Sequence, residues 1–293
     1  MYSMFTEHIP CIVNSNGSSY LDSTKIEAIE AFYSEYLNDF QKEFTISRDY
    51  SAAIYDFLKL DFNGCVGLKG HVTGPVSFGL HLNDENGKPT IYNDLLMDVT
   101  VKTLAGIIRW QERLLSEKGF EPLIFLDEPY MSLMGTTIVS LDQQRIKDML
   151  NELISCSKNK IGIHCCANTD WSFLFETDVQ VISFDAYEYS ENFLLYREEF
   201  GKYFRRGGKI AWGLVPTAKE QINQESVESL FSKFEQLLSI IEDSTKISRE
   251  QIIQSSLITP ACGLGARDET TATAVFQMTR SLSDKIRQDY NLR

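Results

Sequence analysis

Short apolar runs alternate with longer stretches in which apolar residues recur every three or four positions. The runs Phe44–Ser47, Val66–Val72, Leu123–Leu126, Ile161–His164, Val179–Phe184, Lys209–Leu214 and Ser256–Thr259 predict strands. The periodic stretches predict helices at about Ser23–Glu43, Asn93–Lys118, Leu141–Ser157, Asn192–Arg206, Gln224–Asp243 and Asp268–Gln288. Local signals mark their ends. Asn93 is a candidate cap, Ser140-x-x-Gln143 and Ser248-x-x-Gln251 read as capping boxes, and Gly207-Gly208 stops a helix. At the N-terminus, residues 11–22 read as a surface hairpin turning at Asn16-Gly17.

Strands separated by helical crossovers imply a parallel sheet buried on both faces. An open doubly wound sheet usually carries a glycine-rich phosphate loop after its first strand, and none occurs here. The seven predicted strands fall one short of a (β/α)8 TIM barrel, which is the preferred reading; the resemblance given below implies that the first strand is the one missing or truncated. No repeat, low-complexity tract or break in composition divides the chain, so residues 1–293 are expected to form a single catalytic domain.

Composition narrows the function. The net charge of -13 repels phosphate backbones and anionic lipid, so neither nucleic acid nor membrane is an expected partner. No run approaches a membrane span and the N-terminus lacks a signal pattern, which points to a cytoplasmic, reducing setting. The six cysteines are then read as metal or redox chemistry before disulfides.

Chemistry collects where the apolar runs stop, the end at which barrel enzymes build their sites. In Ile161-Gly-Ile-His164-Cys165-Cys166, alternation puts His164 and Cys166 on one face and Cys165 on the other. Cys262 follows the last strand. One imidazole, two thiolates and a carboxylate or open position make a tetrahedral zinc site; the competing reading is a hydrogen-bonded core histidine with cysteines as small apolar fillers. Asp127-Glu128-Pro129 puts two acids at a buried strand end, where an ion pair or a ligand amine is expected. Asp185 ends another strand and is a candidate ligand. Lys69 and His71 are candidate substrate contacts, a structural role for His71 being equally expected, and Thr73-Gly74-Pro75 reads as a tight turn with a free N–H near Gly74.

Five strings in order, Gly70-His-Val-Thr-Gly-Pro75, Phe125-Leu-Asp-Glu-Pro129, His164-Cys-Cys166, Val181-Ile-Ser-Phe-Asp185 and Thr259-Pro-Ala-Cys-Gly-Leu-Gly265, resemble the C-terminal catalytic barrel of cobalamin-independent methionine synthases, in the superfamily that includes uroporphyrinogen decarboxylase. The resemblance is to the short stand-alone members. It implies a zinc-dependent methyltransferase making methionine from homocysteine, with zinc on His164, Cys166, Asp185 and Cys262, and Glu188 as the alternative fourth ligand. It assigns the amino group of homocysteine to Asp127. Asp127 and His71 are the candidate catalytic groups, and Glu128, Thr73, Gly74 and Asp185 the further candidate substrate contacts. The family's opening Gly-Ser-x-Pro strand has no counterpart here, nor do its folate-stacking Trp and its catalytic His. Those departures favour a methylated corrinoid, held by a partner protein, over methyltetrahydrofolate as methyl donor. A methylcorrinoid:coenzyme M type of thiol methyltransferase and a metal-free porphyrin decarboxylase are the alternatives.

Overall fold

A computed structural model describes residues 2–15, 18–134 and 141–292. The Asn16-Gly17 turn and Ser140 of one expected capping box lie outside them. The chain divides into two compact units, Met1–Ile163 and His164–Arg293.

The first unit opens with strands β1 (Ile12–Ser15) and β2 (Ser18–Leu21) and helices α1 (Ile26–Asn38) and α2 (Ala52–Phe57). It continues with β3 (Leu68–Thr73), α3 (Pro75–His81), the short β4 (Asn83–Asp84), α4 (Asp94–Ser116), β5 (Pro122–Asp127) and α5 (Gln143–Ser155). Strands β1 and β2 form the expected antiparallel hairpin, and β2 adds β4 in parallel. Strands β3 and β5 pair in parallel along their whole length, from Leu68 opposite Pro122 to Thr73 opposite Asp127. Helix α4, capped by Asn93 as expected, packs on both and is buried along most of its length.

Polar side chains of α4 do work that neighbouring strands do elsewhere. The Gln111 amide accepts from the His71 N–H at 3.1 Å and donates to the His71 carbonyl at 2.8 Å, closing both groups on the side of β3 away from β5. Buried Glu112 accepts from the backbone of Lys158 and Asn159 and from the Ser157 hydroxyl. The expected strand Phe44–Ser47 is not a strand, for the same reason. The Phe44 N–H bonds the Gly106 carbonyl inside α4, Ser47 N–H bonds the Glu7 carboxylate, and Tyr55 donates to the Ile46 carbonyl. With its backbone groups met by a helix and by side chains, this apolar stretch has no ladder to join.

The second unit begins within β6 (Lys160–Cys165), at His164. It contains α6 (Trp171–Glu176), β7 (Val181–Phe184), α7 (Ala186–Phe193), α8 (Arg197–Arg205), β8 (Lys209–Val215) and α9 (Lys219–Ile222). Helices α10 (Val227–Thr245) and α11 (Arg249–Gln254), strand β9 (Ser256–Pro260) and helix α12 (Glu269–Asp289) complete it. Strands β7, β8 and β9 pair in parallel in that order. Their core is aromatic: Trp171, Phe175, Phe184, Phe193, Phe200 and Trp212 meet mainly edge to face, with Phe184 stacked on Phe193 at 4.2 Å. The single helix expected over Asn192–Arg206 is two, because Arg197 turns back to bond the Leu194 carbonyl and α7 ends there.

Six strands lie in parallel register, β3, β5, β6, β7, β8 and β9. With helices between them, the alternating α/β reading holds and is compatible with a TIM-like fold; a closed barrel takes eight parallel strands, two more than these six. No helix among the described residues is long and apolar enough to cross a membrane.

Gly70 makes room for the Gln111 device. A methyl group there would lie 2.5 Å from Gln111 Oε1 and 2.6 Å from Ile124 Cδ1. Gly70→Ala is therefore expected to destabilise the protein by about 1–3 kcal/mol, read as a lower urea midpoint; an unchanged midpoint would remove the Gln111 closure as a constraint.

Candidate metal centre

In the second unit His164 and Cys166 leave the end of β6 on one face, and Cys262 follows β9. One donor atom from each of the three lies within 4.8 Å of the others. Cys165, on the opposite face, is buried.

The approach of Cys262 depends on a break in the ladder. Gly213 pairs with Thr259, but the next pair is Val215 with Pro260, so the register shifts between them. A Cβ on Gly213 would sit 2.4 Å from the Phe184 carbonyl oxygen and 2.8 Å from Ala261 Cα, so only glycine lets the three chains converge. The Ala261 N–H then bonds the Val215 carbonyl at 2.8 Å, which fixes the residue before Cys262.

His164 is oriented from behind. Its Nδ1 lies 3.0 Å from Ser183 Oγ on β7, which leaves Nε2 as the nitrogen available to a ligand. The two thiols share their electrostatics. Hydrogen bonds from Cys166 and then from His164 pull the Cys262 thiol down to about 4. Cys166 is pushed up, first by its bond to Cys262 and then by burial. Two thiolates this close repel each other, so without a cation the second sulfur ionises far less readily than the first.

Asp185 is not within reach of all three donors. It caps α7, its Oδ1 accepting from Glu188 N–H at 3.0 Å, and burial raises its pKa, with the neighbouring Cys262 charge adding to the effect. It does line the same pocket, a cavity of about 270 Å³ bounded also by Cys166, Cys262, Thr217, Gln221 and Arg267. Glu188 instead accepts a hydrogen bond from Gln221 at 2.5 Å.

The remaining candidates belong to the first unit. Register pairing puts Lys69, His71 and Thr73 of β3 on one sheet face with Phe125 and Asp127 of β5. His71 is held below its ordinary pKa chiefly by burial and also by Lys69, with Asp127 pulling the other way. Its ring meets Phe5 edge on at 5.8 Å, while the Lys69 ammonium lies 4.7 Å above the Phe125 ring. Thr73 Oγ1 is buried and has no hydrogen-bond partner among the described residues. The Gly74 N–H expected to be free bonds the Asp127 carbonyl at 2.9 Å.

Glu128 points the other way and is fully buried, accepting from Val76 N–H at 2.9 Å and Ser77 N–H at 2.7 Å. It ties the turn after β3 to the turn after β5. Gly74 permits this, since a Cβ there would meet Glu128 Oε1 at 2.3 Å.

Ser183, Thr217 and Arg267 were missed by sequence reasoning. Ser183 had a signal: it stands two residues before Asp185 in a strand, hence on the same face. Arg267 stands five residues past Cys262 in an irregular stretch, where no periodicity assigns a direction. No protein-family model matches the chain, and none of the curated proteins matches it significantly.

Two measurements probe this geometry. Ser183→Ala removes the group that orients His164, and the affinity for a divalent metal, titrated against a competing chelator, is expected to fall about 10–100-fold. Unchanged affinity would show that the ring needs no such support. For Glu128, burial pushes the carboxyl up to about 7 from the 4.5 of the unfolded chain, so folding favours the protonated acid. Its stabilising contribution is complete below pH 4.5 and fades as pH rises through about 7. The urea-midpoint gap between wild type and Glu128→Gln should accordingly narrow across that window; a constant gap contradicts the assignment.

Proposed function

We propose that the chain is a zinc-dependent thiol methyltransferase that moves a methyl group from a methylated corrinoid to homocysteine, forming methionine, on a scaffold derived from the (β/α)8 barrel. The observation that carries this reading is the convergence of His164, Cys166 and Cys262 on one point beside a pocket.

The donor set suits zinc. One imidazole and two thiolates are borderline-soft ligands, and a tetrahedral ion with bonds of about 2.0–2.3 Å spaces its ligand atoms about 3–4 Å apart. The 4.8 Å spread of the trio is within a small side-chain adjustment of that. Asp185, on the same pocket wall, is the candidate fourth ligand and would leave its cap on α7 to reach the ion. Zinc bound there would act as a Lewis acid that keeps an incoming thiol ionised near neutral pH, where a free thiol of pKa about 8.5 is mostly protonated.

The chain's own residues do the rest. Ser183 holds the His164 ring, the Gly213 bulge holds the Cys262 loop, and the pocket admits a small thiol. The thiol proton passes to solvent as the substrate enters. Its sulfur then forms a bond to the methyl carbon while the carbon–cobalt bond breaks, leaving the electron pair on cobalt.

Metal analysis of the purified protein tests the centre, with about one zinc per chain expected and its loss expected in both His164→Ala and Cys262→Ser. Methionine formation from homocysteine is expected with methylcobalamin and not with methyltetrahydrofolate. A chain that binds no zinc sinks the reading, and methyl transfer from folate alone overturns the donor.

A further inference from the structure

The two sulfurs of the trio differ in access. Cys262 is exposed and Cys166 is half-buried, and their donor atoms lie within 4.8 Å of each other although 96 positions (262 minus 166) separate them in the chain. Cys165 faces the opposite way and is 1% exposed, so solvent does not reach it. An exposed thiol with a second thiol directly behind it is the arrangement that makes cysteine oxidation reversible. The outer sulfur meets the oxidant, and the inner one traps the oxidised form as a disulfide before it goes further.

The surroundings leave room for that step. Disulfide sulfurs stand about 2.05 Å apart, so closing the pair takes an approach of at most about 3 Å. Upstream, the Ala261 N–H is pinned to the Val215 carbonyl. Downstream there is little packing to disturb: Gly263 and Gly265 have nothing within 4 Å of where a Cβ would stand, and residues 265–270 are exposed. Cys262 can therefore turn toward Cys166 without repacking a core. The cavity of about 270 Å³ that both sulfurs line admits a small oxidant. The net charge of -13 opposes an anionic one such as glutathione disulfide and leaves neutral hydrogen peroxide unaffected.

We infer that Cys166 and Cys262 form a redox modification site: a peroxide oxidises Cys262, and Cys166 resolves it to an intramolecular disulfide. The Cys262 sulfur attacks one peroxide oxygen, the O–O bond breaks, and the other oxygen leaves as water with the thiol proton, giving a sulfenic acid. The Cys166 sulfur then attacks the Cys262 sulfur. An S–S bond forms, the S–O bond breaks, and a second water carries off the Cys166 proton. Two thiols are oxidised and one peroxide is reduced to two waters. The pair itself stands on its geometry. Its consequence rests on the metal-binding role proposed above: the disulfide takes two of the three donors from the ion, so oxidation empties the centre and reduction by a dithiol restores it.

The test exposes the full chain, reduced and freed of metal, to one equivalent of hydrogen peroxide. The expected product has lost two hydrogens by intact mass, yields a Cys166–Cys262 linked peptide on digestion, and returns to its starting mass with dithiothreitol. Cys262→Ser should abolish the link, and Cys166→Ser should leave Cys262 as a sulfenic acid that dimedone captures. Cys65→Ser, which removes the other exposed cysteine, should leave the link unchanged. A link through any other cysteine, oxidation of Cys262 past the sulfenic acid with no link, or dimedone capture at Cys166 in preference to Cys262 would overturn the site. The zinc-loaded chain, treated alike, is expected to release its metal to a chromophoric chelator as the link forms; zinc retained by a linked chain contradicts the emptying of the centre. A chain that takes up no zinc and still forms the link keeps the modification site and removes the methyltransferase reading.

Discussion

The convergence at Gly213 is the constraint on which the site depends. Two parallel strands in ideal register would carry the residues past their ends away on parallel courses. The shift between Gly213 and Val215 bends that course, and the absence of a side chain lets Ala261 lie against the Phe184 carbonyl. Cys262 is thereby delivered to a position that the end of β6 already occupies with His164 and Cys166. The bulge costs ladder hydrogen bonds, and the Ala261 N–H to Val215 contact recovers one of them.

What converges there is electrostatically incomplete. Two thiols within a few ångströms of one another cannot both become thiolates without a cation beside them. The unequal pull on the two sulfurs, Cys262 down and Cys166 up, comes from their bond to each other: the first thiolate to form opposes the second. A divalent cation meets the same demand better, since it neutralises both thiolates and takes the imidazole lone pair as well.

Legibility in the sequence followed the range of the interaction concerned. Alternation within a strand is local, so the shared face of His164 and Cys166 and the burial of Cys165 could be read from three consecutive residues. Strand β8 and helix α4 were legible for the same reason: their periodicity is long and their caps are adjacent. Phe44–Ser47 misled because its apolar character is real while its hydrogen-bond partners, Gly106, Glu7 and Tyr55, are set by tertiary packing. Asp185 reads as a ligand from its place at a strand end, yet the same place makes it the natural cap of the helix that follows, and Glu188 N–H holds it there. The bulge at Gly213 left no signal beyond a glycine in a strand.

The same logic separates two kinds of ionisable group in the molecule. Glu112 and Glu128 are acids whose oxygens are fully engaged by backbone N–H groups, so they complete turns and ask nothing of a ligand. The Cys166–Cys262 pair is the reverse: with His164 the two sulfurs converge at the wall of one cavity, Cys262 exposed and Cys166 half-buried, instead of being sealed into the core. Removing Glu128 would leave the Val76 and Ser77 N–H groups without their acceptors and open a turn. The converging thiols are better explained by what enters the cavity than by what holds its walls together.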